Sequence, residues 1–277
     1  MDAVLHLLRC PICVTELTHH EKSLRCVHGH SFDIAREGYV NLLRKKAGMG
    51  DSKEMLQARR AFLEEGYYAP LVKALHQQLE SISEQEQRPL TMLDAGCGTG
   101  YYLAHLQAAL HTTTLGLGFD ISKEAIRLAA RQYRETFFFV ANVKEHLVLA
   151  DNAINILLNI FAPRNIPEFA RVLVPGGLLA IVIPGEYHLQ ELRDALHLLS
   201  IEEQKRQHIL EQCAPYFQLE ATQEVTYRLS LPHESLLQLL MMTPNYHHLN
   251  EEQYRAIRQS GSQETTADFL CLILRKR

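Results

Sequence analysis

The chain has 277 residues, of which 47% are apolar and 22% charged, and a net charge of −4. That composition excludes a disordered or fibrous chain and leaves room for one large globular domain with something small beside it. The negative balance argues against indiscriminate nucleic-acid binding. No apolar run approaches the roughly 18 residues of a membrane span, and Met1 to Cys10 lacks a signal peptide's apolar stretch and cleavage site, so a soluble cytoplasmic protein is expected.

Reading from the N-terminus, Cys10-Pro11-Ile12-Cys13 and Cys26-Val27-His28-Gly29-His30 supply two ligand pairs separated by twelve residues. Zinc takes four thiolate or imidazole ligands tetrahedrally, which nominates Cys10, Cys13, Cys26 and His30, with His28 as the alternative fourth ligand. Such a closed site is structural. About forty residues cannot bury enough apolar surface to fold unaided, so a metal is expected to hold this head together. A redox Cys-x-x-Cys is the rival reading, but it would normally sit at a βα junction and would not need the second pair. Cys97, Cys213 and Cys271 lie in apolar surroundings and read as packing residues.

Residues 1–60 carry ten Lys and Arg against seven Asp and Glu. Arg44, Lys45, Lys46, Lys53, Arg59 and Arg60 cluster after the head, either as a patch for phosphate or as a solvated helix face. Asp51 and Ser52 are placed to cap a helix through about Glu65, which Gly66 ends. A second helix is expected from Pro70 to about Ser83, before a polar link at Glu84 to Arg88. The expected division is a zinc-binding head at 1–43, a basic helical linker at 44–88 and a cofactor domain at 89–277.

From Pro89 onward strand and helix patterns alternate. Strands are expected near 90–95, 114–120, 136–141, 154–160 and 178–183, with helices near 101–110, 122–132, 165–173 and 188–200. Alternation of this kind predicts an α/β fold with a mostly parallel sheet covered on both faces. A helix near 202–213 follows. Phe217 to Leu231 and Thr265 to Arg275 then read as long closing strands around a helical stretch at 233–258.

The first strand runs into Leu93-Asp94-Ala95-Gly96-Cys97-Gly98-Thr99-Gly100. Glycines here let backbone approach a ligand closely where a strand turns into its helix. Asp120 closes the second strand, placed to accept hydrogen bonds from two ribose hydroxyls, and Asn142 closes the third, placed to meet adenine. Dinucleotide loops follow G-x-G-x-x-G, whereas Gly96, Gly98 and Gly100 alternate after the acidic Asp94. This pattern resembles motif I of the class I S-adenosylmethionine-dependent methyltransferases, which implies a Rossmann-like, mostly parallel seven-stranded sheet.

The whole set resembles one family. It comprises the Cys-x-x-Cys head, the helix from Gly50-Asp51-Ser52 through Gln57-Ala58-Arg59-Arg60-Ala61-Phe62-Leu63, Gly66-Tyr67-Tyr68-Ala69-Pro70-Leu71 and the glycine loop. The family is the 23S rRNA guanine-N1 methyltransferases, the ribosomal large subunit methyltransferase A group. Leu158-Asn159-Ile160-Phe161-Ala162-Pro163-Arg164-Asn165 and Val174-Pro175-Gly176-Gly177 resemble its tylosin-resistance branch, while Met242-Thr243-Pro244-Asn245-Tyr246 departs from the family's versions. The resemblance implies a target guanine in a domain II hairpin of 23S rRNA near the macrolide site, and a homodimer whose zinc heads help form an RNA cleft. It implies cofactor contacts at Tyr68, Gly98, Thr99 and His188, with S-adenosylmethionine as cofactor and structural zinc in the head.

Guanine N1 carries a proton that must leave before its lone pair can react. Residues 152–167 contain no Asp or Glu, so no base is nominated there. Asn159 is a candidate for orienting the guanine edge, and Phe161 for stacking on an extruded base or for packing in the core. A small-molecule methyltransferase with an accessory zinc module and a non-catalytic RNA-binding protein are the rival functions. On the expectation that head and pocket rest on separate segments, loss of Cys26 would unfold the head and spare the pocket.

Overall fold

The computed structural model describes residues 2–44, 51–83, 89–110, 113–196, 204–243, 251–259 and 261–277. Lys45, Lys46, Glu84 to Arg88 and Pro244 to Tyr246, singled out above, lie outside the described residues.

The head begins with α1 (Asp2–Leu5) and the hairpin strands β1 (Thr18–His20), β2 (Ser23–Arg25) and β3 (Ser31–Asp33), which form a small antiparallel sheet. β4 (Val40–Asn41) then leaves the head and pairs in parallel with a strand of the main sheet. Two helices follow. α2 (Lys53–Glu64) is capped as the sequence predicts, the Ser52 hydroxyl accepting from the Met55 amide at 3.2 Å. Gly66, at φ +82°, ends it, and α3 (Ala69–Ser83) runs back.

The alternating region folds as β5 (Leu90–Ala95), α4 (Tyr101–Ala109), β6 (Thr114–Asp120), α5 (Lys123–Gln132), β7 (Phe137–Val140), β8 (Ile154–Ile160), α6 (Ile166–Val172) and β9 (Leu173–Pro184). After α7 (Gln190–Leu196) and α8 (Lys205–Cys213) come β10 (Phe217–Leu231), α9 (His233–Met241), α10 (Glu251–Gln259) and β11 (Gln263–Lys276). The sheet order among the described residues is β10-β11-β9-β8-β5-β6-β7-β4, with β10 and β11 antiparallel to their neighbours and the rest parallel. The order reverses between β5 and β8, and that switch opens a crevice at the carboxyl ends of the two strands.

Period-2 alternation divides the core between the two faces of the sheet. Leu90, Met92, Ile156, Leu158, Ala180, Val182, Phe269 and Cys271 pack beneath α3, α4, α5 and α9. Leu93, Ala95, Leu157, Leu179, Ile181 and Leu272 pack on the other face with Phe169 of α6, Ile209 and Cys213 of α8, and the head. Cys97, Cys213 and Cys271 are buried, as expected of packing residues.

Two features depart from the sequence reading. The sheet has eight strands because β4 adds Val40 and Asn41 beside Phe139 and Val140. The head is also not walled off from the rest: Val4, Leu7, Leu8, Leu17, Leu24, Val40 and Leu42 share one apolar core with Leu117, Phe119 and Phe139. Backbone bonds from the Arg9 amide to the Val148 carbonyl and from the Ala150 amide to the Leu7 carbonyl, both 2.8 Å, stitch the two together.

Candidate functional site

The four zinc candidates converge. Cys10, Cys13, Cys26 and His30 each offer a ligand atom, and all four atoms lie within 4.8 Å of one another. Cys13 and Cys26 Sγ are 3.6 Å apart, and His30 Nδ1 lies 3.3 Å from Cys26 Sγ and 3.5 Å from Cys10 Sγ. A tetrahedral zinc with Zn–S bonds of about 2.3 Å separates its sulfurs by about 3.8 Å, so the cage fits the ion. Tight turns set the spacing: the Val14 amide donates to the Cys10 carbonyl and the Gly29 amide to the Cys26 carbonyl. The Thr15 hydroxyl beside Cys13 draws its thiol down to about 7, toward the thiolate a metal requires. His28 stays outside the cage, which leaves His30 as the fourth ligand.

The second site is a cleft of about 810 Å³ at the switch point, and Tyr68, Asp94, Gly96, Gly98, Thr99, Phe161 and His188 all line it. Its decisive group is Asp94, which is 1% exposed and has no hydrogen-bond partner on either carboxyl oxygen. Burial, with the neighbouring Asp120 carboxylate, pushes its pKa up to about 8. A buried acid without a counter-charge is costly, and a cationic ligand in the cleft is what would relieve it. S-adenosylmethionine carries an ammonium and a sulfonium and fits that demand.

The loop glycines have different reasons. All three sit at positive φ. A Cβ on Gly96 would meet Ala162 Cβ at 2.5 Å, and one on Gly100 would strike the Phe138 ring at 2.8 Å, so these two permit packing of the protein on itself. Gly100 is thereby withdrawn from the cleft. A Cβ on Gly98 would point toward Arg59 Nη1 at 3.5 Å. The Arg59 side chain roofs the loop, paired with Asp51 at 2.5 Å and donating to the Met242 carbonyl at 3.1 Å.

Asp120 and Asn142 do not line the cleft. Asp120 Oδ2 accepts from the Gly98 amide at 3.0 Å and Oδ1 from the Ser122 amide at 2.8 Å, so its carboxylate shapes the glycine loop. Burial nevertheless raises its pKa. Asn142 Oδ1 accepts from the Lys144 amide and its Nδ2 donates to Glu145, a turn that turns the side chain inward on its own loop.

Tyr68 sits in the turn between α2 and α3, held edge-on against Phe62 and Phe269 with ring centroids 5.1 and 4.8 Å away. His188, beyond β9, is 4.8 Å from the Phe269 ring. Its Nδ1 accepts from the Asp268 amide at 3.3 Å, and burial lowers its pKa to about 4. The ring is therefore neutral, with its proton on Nε2.

Asn159 is fully buried and stands behind the cleft wall. Its Nδ2 donates to the Ala95 carbonyl at 3.1 Å and the Pro163 carbonyl at 2.9 Å, tying the end of β5 to the loop after β8. Phe161, on that loop, is 41% exposed at φ +51°, packed edgewise on Tyr102 and tilted on Phe269. A bulky residue held at positive φ with its ring half out in a cleft is an outlier that core packing does not explain. Arg193 and Lys205, which also line the cleft, were not singled out from the sequence, and Arg59 and Arg164 were noted there only within a basic patch and a motif, because these cations come from segments far apart in the chain.

A doubly wound sheet with antiparallel closing strands, a glycine loop at its switch point and an unpartnered buried acid define a class I S-adenosylmethionine-dependent methyltransferase. A model of the methyltransferase domain matches residues 92–177, and one of the RlmA N-terminal zinc ribbon matches residues 8–46. The 23S rRNA (guanine(748)-N(1))-methyltransferase of Streptomyces fradiae is 38% identical over 98% of this chain and 98% of its own length. A Micromonospora griseorubida protein with a provisional 23S rRNA guanine-N1-methyltransferase name is 37% identical over 100% of this chain and 98% of its own. The Bacillus subtilis protein YxjB, with a provisional name of the same kind, is 30% identical over 96% of both. The chain belongs to the 23S rRNA guanine-N1 methyltransferase family.

Proposed function

We propose that the chain transfers a methyl group from S-adenosylmethionine to N1 of one guanine of 23S rRNA, the counterpart of the guanine 748 for which the Streptomyces fradiae relative is named. The observation that carries this reading is the pairing, in one cleft, of the unpartnered Asp94 carboxyl with the outward-turned ring of Phe161. The cofactor supplies an electrophilic methyl on a sulfonium. Asp94 would hold its positive end, with Tyr68, Gly98 and Thr99 around it.

Phe161 stacks on the extruded guanine, and Asn159 positions the loop that presents Phe161. Asn159 thus acts through the backbone and does not touch the base. Of the carboxylates lining the cleft among the described residues, Asp51 is paired with Arg59 and Asp94 lies at the cofactor end. His188 already carries its proton on Nε2. The guanine N1 proton therefore passes to water at the open mouth, and alignment supplies most of the acceleration.

Target placement in a domain II hairpin near the macrolide site, macrolide resistance as the consequence, a homodimer in which paired heads shape the RNA cleft, and action in the cytoplasm all belong to the same reading. No described helix is long and apolar enough to cross a membrane. Continuity of the head with the sheet core supports a single working unit and disfavours an accessory module on a small-molecule enzyme.

The test incubates the protein with labelled S-adenosylmethionine and protein-free 23S rRNA, then maps reverse-transcriptase stops, since N1 methylation blocks Watson–Crick pairing. One strong stop at the expected guanine is the predicted result. Label scattered over many sites, or none, contradicts it.

A further inference from the structure

We propose that Arg193 and Lys205 form an anion-binding wall on the acceptor side of the cleft, which holds the RNA phosphates flanking the extruded guanine. The inference rests on the guanine-N1 methyltransferase reading and adds the residues that grip the backbone at the point of chemistry.

Arg164, Arg193 and Lys205 line the same cleft as Asp94, Tyr68, the glycine loop and Phe161. Of the acidic residues that line it among those described, Asp51 is paired with Arg59 and Asp94 is buried at the end of β5. Arg193 Nη2 donates to the Glu186 backbone carbonyl at 2.7 Å, while its Nε–H is buried without an acceptor. Neither Arg193 nor Lys205 forms an ion pair among the described residues. A guanidinium tied at one nitrogen to a backbone carbonyl, with no carboxylate beside it, keeps its full charge and spare donors for an anionic oxygen. The charge of Arg193 also reaches His188, where it adds to the burial that keeps that ring neutral.

Two members of the basic patch nominated from the sequence are already engaged. Arg59 is paired with Asp51 and Arg60 with Glu64. Extruding a base, by contrast, draws its own two flanking phosphates to the mouth of the pocket that receives it. Cations that line that pocket and lack protein counter-charges are where those phosphates fall.

An anion here could also be the carboxylate of the cofactor, and the experiment separates the two sources. Full-length, zinc-loaded wild type and the variants Arg193→Gln, Lys205→Gln and Arg193→Lys are compared by filter binding to a 23S rRNA domain II fragment over a salt series. Calorimetry with S-adenosylhomocysteine and thermal unfolding run alongside. Each Gln variant is expected to weaken RNA binding about tenfold at low salt, and to lower the slope of log K against log salt by about 0.7–0.9 per lost phosphate contact. Arg193→Lys keeps the slope, and S-adenosylhomocysteine affinity stays within about twofold of wild type. Loss of cofactor affinity with an unchanged RNA slope assigns the anion to the cofactor and overturns the wall, as do variants that match wild type in both assays. Wild-type methylation of the same fragment is the separate readout: its failure strikes the functional reading, whereas flat variant slopes with methylation intact strike this inference alone.

Discussion

Asp94 has been stripped of water by folding and given no partner in exchange. Its pKa of about 8 in the fold stands against about 3.9 in an unfolded chain, so the native state binds this proton more tightly. Below the unfolded value the carboxyl is neutral in both states and costs nothing. As pH rises from about 4 to 8 the unfolded chain ionises first, and the ligand-free protein loses stability, reaching a plateau above 8. Urea midpoints of ligand-free wild type should therefore fall relative to those of Asp94→Asn across that window; parallel curves for the two proteins would show that the group has a partner after all. The acidic position at the end of β5 is legible in the sequence from the glycine loop that follows it. Its isolation is not, because that depends on which donors the folded loop turns toward it, and the Gly98 amide goes to Asp120 instead.

At the scale of the element, the loop after β8 is built to be held from behind and used from in front. Asn159 fastens it to the end of β5 through two carbonyls, and Asn159→Ala strands both acceptors in the interior, costing about 1–3 kcal/mol each if no water enters. Thermal unfolding should shift down accordingly, and kcat should drop about tenfold while S-adenosylhomocysteine affinity holds. A variant with wild-type kcat would show that the tie does not position Phe161. For Phe161→Ala the expected loss is RNA-dependent: base stacking contributes about 1–3 kcal/mol, so kcat/KM for rRNA should fall roughly 10- to 100-fold. Unchanged kinetics would return Phe161 to a packing role.

The strands were readable from the sequence as apolar runs between polar and glycine-rich breaks, and β5, β6, β8 and the two closing strands fall where those runs put them. What local patterning does not encode is partnership across the chain. Arg60 with Glu64 is an i,i+4 pair visible in the sequence, but Arg59 with Asp51 and Met242 is not, since it needs α2 folded over the glycine loop. Asn142 occupies the strand end that the fold rule nominates, yet its short amide finds nearer partners in its own turn.

At the scale of the whole molecule, the zinc head and the catalytic sheet are one cooperative body. β4 is two residues long, too short to announce itself, and its pairing with β7 is what carries the head onto the sheet. The shared core beneath Leu117 and Phe119 means that metal loss is felt beyond the head. Chelating the zinc, or Cys26→Ala, is thus expected to move a single unfolding transition downward and to weaken the cofactor cleft with it. Two resolved transitions, the upper one unmoved, would restore the picture of separate segments.

Calorimetric titration of S-adenosylhomocysteine into wild type and Asp94→Asn at neutral pH measures whether the buried carboxyl holds the cofactor. Binding to wild type is expected, with a loss of at least about tenfold, or roughly 1.4 kcal/mol, in a variant that folds at least as stably. Equal affinities in the two proteins, or a wild type that does not bind at all, would contradict it.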